Sequence, residues 1–242
     1  MRVLVISDIH ANLTALEAVL QDVHDFDEVW CLGDLVGYGP DPNECIERVQ
    51  TLPNLHCLVG NHDHAALGLI PISKFNYDAQ TGIAWTMGVL TKKNRDFLQS
   101  LPAILEMGDF TLAHGSPREP IWEYILDIHL ANANFEVMET DYCLVGHSHL
   151  PMIFQRSDSH SYTIPIVIPE GEAFLLQPCM ILNPGSVGQP RDLNPRAAYA
   201  ILDTEANTWE QKRVAYDVTD VQLRILQAGL PERHATRLVA GW

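Results

Sequence analysis

The sequence predicts an α/β chain in which a parallel β-α-β-α-β unit is backed by a second sheet, with helices outside. Three observations carry this. Over the first sixty or so residues, short apolar runs alternate with amphipathic segments, the pattern of parallel strands joined by crossover helices. After Pro151 strand-like runs follow one another with little helix between them. At 242 residues and 47% apolar composition, the chain can bury a sizeable core, and it shows no linker or low-complexity run. A single domain over 1–242, with a helical tail at about 218–242, fits better than two domains.

Residues 3–6 read as a fully buried strand running into Ser7-Asp8-Ile9-His10. Asn12 is a plausible N-cap for a helix to about residue 23, with Leu13, Leu16, Val19 and Leu20 on one face. Residues 28–32 form a second strand, stopped by Gly33-Asp34. Asp41-Pro42 opens a helix carrying Cys45, Ile46 and Val49. Residues 55–59 form a third strand, and Gly60-Asn61-His62-Asp63 reads as a tight, exposed turn after it. Helical spacing returns over 78–90 and 92–100. The runs 103–107 and 110–113, split by Gly108-Asp109, read as a hairpin ending at His114. A helix near 129–138 leads to a strand at 142–145 and then Gly146-His147-Ser148-His149. Strands at 152–155, 162–168, 173–176, 180–182, 198–202 and 209–214 follow, with a loop from Asn183 to Asp192. The tail beyond Asp217 reads as a solvated helix or an interface.

A net charge of −16 argues against a default role in holding long nucleic acids, whose phosphates attract basic surfaces. Five cysteines, with no Cys-x-x-Cys pair, argue against a disulfide framework and favour a reducing cytoplasm. No signal peptide and no apolar run long enough to span a bilayer is evident, so no membrane partner is expected. Homo-oligomerisation is left open.

Five polar segments each follow an apolar, strand-like run: Asp8-x-His10, Gly33-Asp34, Gly60-Asn61-His62-Asp63, His114-Gly115 and Gly146-His147-Ser148-His149. In open α/β sheets the carboxyl ends of strands line the ligand crevice, so these side chains can converge. Two carboxylates, an amide and four or five imidazoles exceed a single four-ligand site and fit two adjacent metal ions, with one carboxylate bridging them.

The order of these segments resembles the signature of the calcineurin-like metallophosphoesterases, in a bacterial branch of small phosphoesterases. The resemblance implies a four-layer α-β-β-α sandwich of two facing mixed sheets flanked by helices, with a dinuclear site at the strand ends. It implies that Asp8, His10 and His149 bind one metal, that Asn61, His114 and His147 bind the other, and that Asp34 bridges. His62 is implied as a general acid rather than a ligand. Two divalent ions, drawn from Mn, Fe, Zn, Co or Ni, would neutralise phosphoryl oxygens and lower the pKa of a bound water from about 15.7 towards 7, giving hydroxide for in-line attack. The protein Ser/Thr phosphatases of the family carry G-D-x-V-D-R-G and R-G-N-H-E; here Gly37, Tyr38 and Val59 stand at the matching positions. Both phosphate-gripping arginines and the Asp that orients the catalytic His are therefore missing. Arg118, Arg191 and Tyr38 are candidates for holding the substrate.

Each segment alone has an ordinary reading. Asp8 could cap a helix, Asp34 could be a turn residue, and His114, His147 and His149 could sit at strand ends. Five such segments at strand ends, in family order, outweigh those readings. His24, His56, His64, His129, His160 and His234 keep the ordinary reading, with His64 closest to the site loop. Trp85, Trp122, Tyr124 and Trp209 read as packing residues. The function expected is hydrolysis of a phosphodiester or small nucleotide, such as a dinucleoside polyphosphate or cyclic nucleotide. A phosphomonoesterase or protein phosphatase, or a non-catalytic scaffold or nucleotide sensor on the same fold, is the alternative. A scaffold has no need of His62 or of the complete ligand set.

Overall fold

The structure, a computed structural model, describes residues 1–157 and 162–242; His160 lies outside the described residues. β1 (Arg2–Ile6), β2 (Glu28–Cys31) and β3 (Leu55–Cys57) run parallel, linked by α1 (Leu13–Asp22) and α2 (Pro42–Val49). Asn12 caps α1 by accepting the Ala15 N–H at 3.0 Å, and Pro42 opens α2. After α3 (Asn61–Ala66), α4 (Tyr77–Val89) and α5 (Lys92–Ser100), the hairpin β4 (Ile104–Met107) and β5 (Phe110–Ala113) starts a second sheet. α6 (Ile128–Phe135) leads to β6 (Tyr142–Leu144), β7 (Pro151–Arg156) and β8 (Thr163–Ile166). β9 (Ala173–Leu175), β10 (Met180–Pro184), β11 (Ala197–Asp203) and β12 (Thr208–Val214) complete two mixed six-stranded sheets, ordered β3-β2-β1-β11-β12-β9 and β4-β5-β6-β10-β7-β8.

The alternation of β1 shows how the layers are built. Leu4 and Ile6 pack with Leu16, Val19 and Ile46 of the helices, while Val3 and Val5 face Phe110, Leu112 and Leu182 of the other sheet. Both faces of β1 are thus covered, which is why its run is apolar at successive positions rather than at alternate ones. On the far side of the second sheet, Cys143, Phe154 and Ile181 pack against Ala131 and Phe135 of α6. Helices, sheet, sheet and helix form the four layers expected. Cys31, Cys45, Cys57 and Cys143 are free and buried, and no helix among the described residues is long and apolar enough to cross a membrane.

Two expectations are corrected. The segment after β3 is not an exposed turn. Asn61, His62 and Asp63 begin α3 and are buried, because Gly60 lies directly against Asp34 and the Asp63 carboxylate accepts the N–H groups of Gly60 (2.9 Å) and Val36 (3.1 Å). The tail is not a solvated helix. α7 (Val218–Gln227) and α8 (Glu232–Ala240) turn Val221, Ile225, Ala235 and Leu238 inward as a separate small core. They are tied to the rest by Arg224–Asp41 and by the Leu193 N–H on the Gly241 carbonyl (2.7 Å).

Candidate metal centre

The seven predicted ligand positions converge at the carboxyl ends of strands from both sheets. Asp8 and His10 follow β1, Asp34 follows β2, Asn61 opens α3 after β3, His114 follows β5, and His147 and His149 follow β6. The backbone there is bent to the task. Asp8, His10, Asp34, His147 and His149 all have φ between 48° and 63°, a left-handed conformation that few residues other than glycine adopt and that costs about 1–3 kcal/mol each. Gly60 permits the closest approach. A Cβ there would stand 2.0 Å from Asp34 Oδ1.

Two buried groups result, each able to hold a metal ion: Asp8, His10 and His149, and Asp34, His114 and His147. Asn61 Oδ1, 3.1 Å from His114 Nε2, joins the second group. Asp34 Oδ2 lies 3.3 Å from His114 Nε2 and 3.6 Å from His10 Nε2, between the two groups. Asp8 Oδ1 and Asp34 Oδ2 are buried with no hydrogen-bond partner among the described residues, while their other oxygens are satisfied. Asp8 Oδ2 accepts Ser7 Oγ–H (2.7 Å) and the His147 N–H (3.0 Å), and Asp34 Oδ1 accepts the His62 N–H (2.8 Å). An unpaired buried carboxylate oxygen is costly, and a cation at these positions relieves the cost.

The imidazoles give the same answer. His10, His114 and His149 donate Nδ1–H to the carbonyls of Val36 (3.0 Å), Leu32 (2.9 Å) and Gln189 (2.5 Å), which turns each Nε2 inward; on His10 and His149 it is a lone pair, and on His114 it carries a proton that a metal ion would displace. His10 and His149 then face each other Nε2 to Nε2 at 3.0 Å. Two neutral lone pairs have no proton to share there, whereas a cation beside them takes both. His147 gives Nε2–H to the Trp122 carbonyl at 3.2 Å, leaving Nδ1 for the second group. The donor set of imidazole, carboxylate and amide oxygen therefore fits two divalent ions.

The electrostatics follow from burial. Burial pushes the Asp8 carboxyl up to about 6, with His114 opposing and Asp34 adding. Burial also acts to raise Asp34, but the charges of His114, His62 and His10 outweigh it and hold this carboxyl well below the usual range. His114 is pushed up to about 9: burial resists protonation, and the charge of Asp34, 3.3 Å away, overrides it. Burial pulls His10 down to about 3 and holds His62, His147 and His149 below their ordinary value. At neutral pH the metal-free centre is thus an Asp34–His114 ion pair among neutral imidazoles.

Around the centre stands an aromatic rim. Tyr38 lies 4.5 Å from the His62 ring and 4.8 Å from His10; Phe75 lies 4.9 Å from His62 and 5.1 Å from Trp122; Tyr124 stacks on His147 at 3.7 Å. His62 Nδ1 is buried without a hydrogen-bond partner, against Gly37, where a Cβ would stand 2.5 Å away. Arg191 donates to Gln189 Oε1 (2.9 Å) and approaches the Tyr38 hydroxyl (3.5 Å), and its Nε is buried and unpaired. Arg118 instead directs its guanidinium to Glu123 at 3.7 Å.

Asp63, Phe75, Trp122, Tyr124 and His234 are site neighbours that sequence reading missed. Asp63, next to His62, had a positional signal. Trp122 and Tyr124 were visible only as aromatics, and Phe75 and His234 gave no signal at all.

Residues 1–207 match the calcineurin-like phosphoesterase superfamily domain. The chain belongs to that superfamily. It is a phosphoric ester hydrolase by family, and the phosphoesterase is 44% identical to a metallophosphoesterase from Sphaerobacter thermophilus, with a TM-score of 0.91 over 100% of both chains. It is 38% identical to the uncharacterized protein MJ0912 of Methanocaldococcus jannaschii, over 98% of this chain and 97% of that one. A shorter match, 36% identical over 67 residues, joins 26% of the phosphoesterase to 23% of a symmetrical bis(5'-nucleosyl)-tetraphosphatase from Pseudomonas syringae pv. syringae.

Proposed function

We propose that the phosphoesterase hydrolyses a phosphodiester or phosphoanhydride bond of a small nucleotide, with Asp8, His10 and His149 holding one divalent ion, Asn61, His114 and His147 the other, and Asp34 both. The observation that carries this is the unpaired Asp34 Oδ2, set between the two groups at 3.3 and 3.6 Å from their imidazoles. The two ions, when bound, neutralise phosphoryl oxygens and make water nucleophilic at neutral pH.

The chain's own residues do the rest. Asp34 Oδ1 holds the N–H of His62 and so fixes the start of α3 against the centre. His62, boxed by Tyr38, Phe75 and His10, is neutral in the empty centre; an anionic phosphate bound beside it favours its protonated form, which delivers the proton to the leaving oxygen. Arg191, with an unpaired buried Nε and Tyr38 beside it, grips the phosphate that arginines hold in the protein phosphatases. A nucleotide is supported by the short match to the bis(5'-nucleosyl)-tetraphosphatase and by the exposed Tyr124 on the rim. The free thiols of Cys31, Cys45, Cys57 and Cys143 support a reducing compartment such as the cytoplasm.

The test is release of nitrophenol from bis-p-nitrophenyl phosphate with Mn²⁺. Turnover is expected, EDTA is expected to abolish it, and His62→Ala is expected to lower kcat by roughly 10²–10⁴-fold with metal content kept. Full activity in that variant would remove His62 from the mechanism.

A further inference from the structure

The family match ends at residue 207, and the helices beyond it build a second compartment next to the metal centre. A cavity of about 130 Å³ is lined by Tyr38, Asn76, Asp78, Arg233, His234 and Arg237. Tyr38 is the wall it shares with the centre. The Tyr38 ring is 4.5 Å from His62 and 5.0 Å from His234, whose Nδ1–H is 3.1 Å from the Tyr38 carbonyl oxygen.

The charges at this wall are unusual for so acidic a chain. Arg48, Arg156, Arg196, Arg213 and Arg224 each pair with a carboxylate. Arg191, lying over the Tyr38 ring at 5.9 Å, and Arg237, lining the cavity, have no Asp or Glu partner among the described residues. Arg237 Nε is on the Trp242 carbonyl oxygen. Asp78 faces Arg233 at 3.6 Å and its charge also acts on Arg237, whose guanidinium lies over the Trp242 ring at 5.5 Å, so two arginines at the cavity share one acidic side chain. Asn76 Oδ1 is occupied in capping α4 through the Ala79 N–H (3.0 Å), so its amide N–H groups remain as donors. Burial and the nearby Arg191 charge pull the Arg237 guanidinium below its ordinary value, a penalty that an incoming anion relieves.

We propose that this cavity receives a second phosphoryl group of the substrate, with Arg237 as its anchor and Asn76 and Arg233 as further donors. The enzyme then favours molecules carrying a row of phosphates over those with a single one. The inference rests on the reading above that the scissile phosphate sits at the metal centre. Arg191 lies over the Tyr38 ring and Arg237 lines the cavity that Tyr38 walls, so a row of phosphates reaching from the centre into that cavity would meet both.

The test follows bis-p-nitrophenyl phosphate hydrolysis at fixed excess Mn²⁺, with diadenosine tetraphosphate and AMP as competitors. The tetraphosphate is expected to inhibit the wild type at concentrations roughly tenfold or more below AMP, since its further phosphoryl groups add a charge-assisted hydrogen bond that AMP cannot make. Arg237→Gln is expected to shrink that preference to about threefold or less, and Arg237→Lys to restore much of it. Equal potency of the two competitors in the wild type, or an undiminished preference in Arg237→Gln, overturns the proposal. If Arg237→Gln does not fold, Arg233→Gln is read by the same ratio, with a smaller fall expected and no fall overturning it. Orthophosphate that alters turnover non-competitively in the wild type but not in Arg237→Gln would make the cavity a site for a free anion, and would overturn the substrate assignment. Absence of any hydrolysis would defeat the proposed function instead; calorimetric titration of the same two nucleotides then gives the ratio without turnover.

Discussion

At the scale of single residues, the centre is a set of groups held away from their preferred states. The Asp34–His114 pair is the clearest case. His114 has its pKa raised from 6.5 to about 9 in the folded, metal-free chain. The stability it supplies is therefore present in full below about pH 6.5 and lost as pH rises through about 9. Denaturant unfolding of EDTA-treated protein should show a lower midpoint at pH 10 than at pH 6, and an unchanged midpoint would count against the pair. A metal ion must displace the same proton, so Mn²⁺ affinity should climb between pH 7 and 9, with proton release measurable in weakly buffered solution. Asp34→Asn removes the charge shared by both groups. Elemental analysis of that variant should find metal content well below the wild type's, because the one oxygen of Asn is taken by the His62 N–H and an NH2 group, which cannot ligate, stands where Oδ2 lay.

Elements decide how those residues meet. Five short strands from two sheets end at one place, and the turns after β1, β2 and β6 take the strained backbone that aims Asp8, His10, Asp34, His147 and His149 inward. The β3–α3 junction is the tightest of these. Gly60→Ala would drive a methyl group into Asp34 and should lower both metal content and melting temperature, whereas Gly108→Ala, with open space at its Cβ, should leave metal content as it was. The strands, the Asn12 cap, the Pro42 start and the five site segments were legible because each is written in consecutive residues. Apolar alternation marks a strand, and a polar residue behind it marks the strand's end. The α7–α8 packing was not legible, because Val221, Ile225, Ala235 and Leu238 have a helical spacing that fits a core, a dimer or a half-solvated helix alike. Nor was the aromatic rim, since Phe75, Trp122 and Tyr124 come together only through loops whose course no local pattern sets.

For the whole molecule, metal and fold are coupled. The ions bind the folded chain and find no preformed site in the unfolded one, so they stabilise by mass action, about 2.7 kcal/mol at a hundredfold excess over Kd. In a chain of this size that is a rise of roughly 5–10 °C in melting temperature. Scanning fluorimetry with and without Mn²⁺ should show it and EDTA should reverse it; no shift at saturating metal would mean that the site is not formed as described. The net charge of −16 disfavours polyanions in general, whereas Arg191 brings positive charge beside Tyr38 at the centre. The sheet order carries a last consequence. β1 lies next to β11, so the loop bearing Asp8 and His10 is clamped only after residues near 200 have been synthesised, and His149 must arrive before the first group closes. On the ribosome, then, the emerging amino-terminal part holds an incomplete chelate. The choice of ion falls to the stage at which β11 has joined β1, and to whichever cations the surroundings offer then.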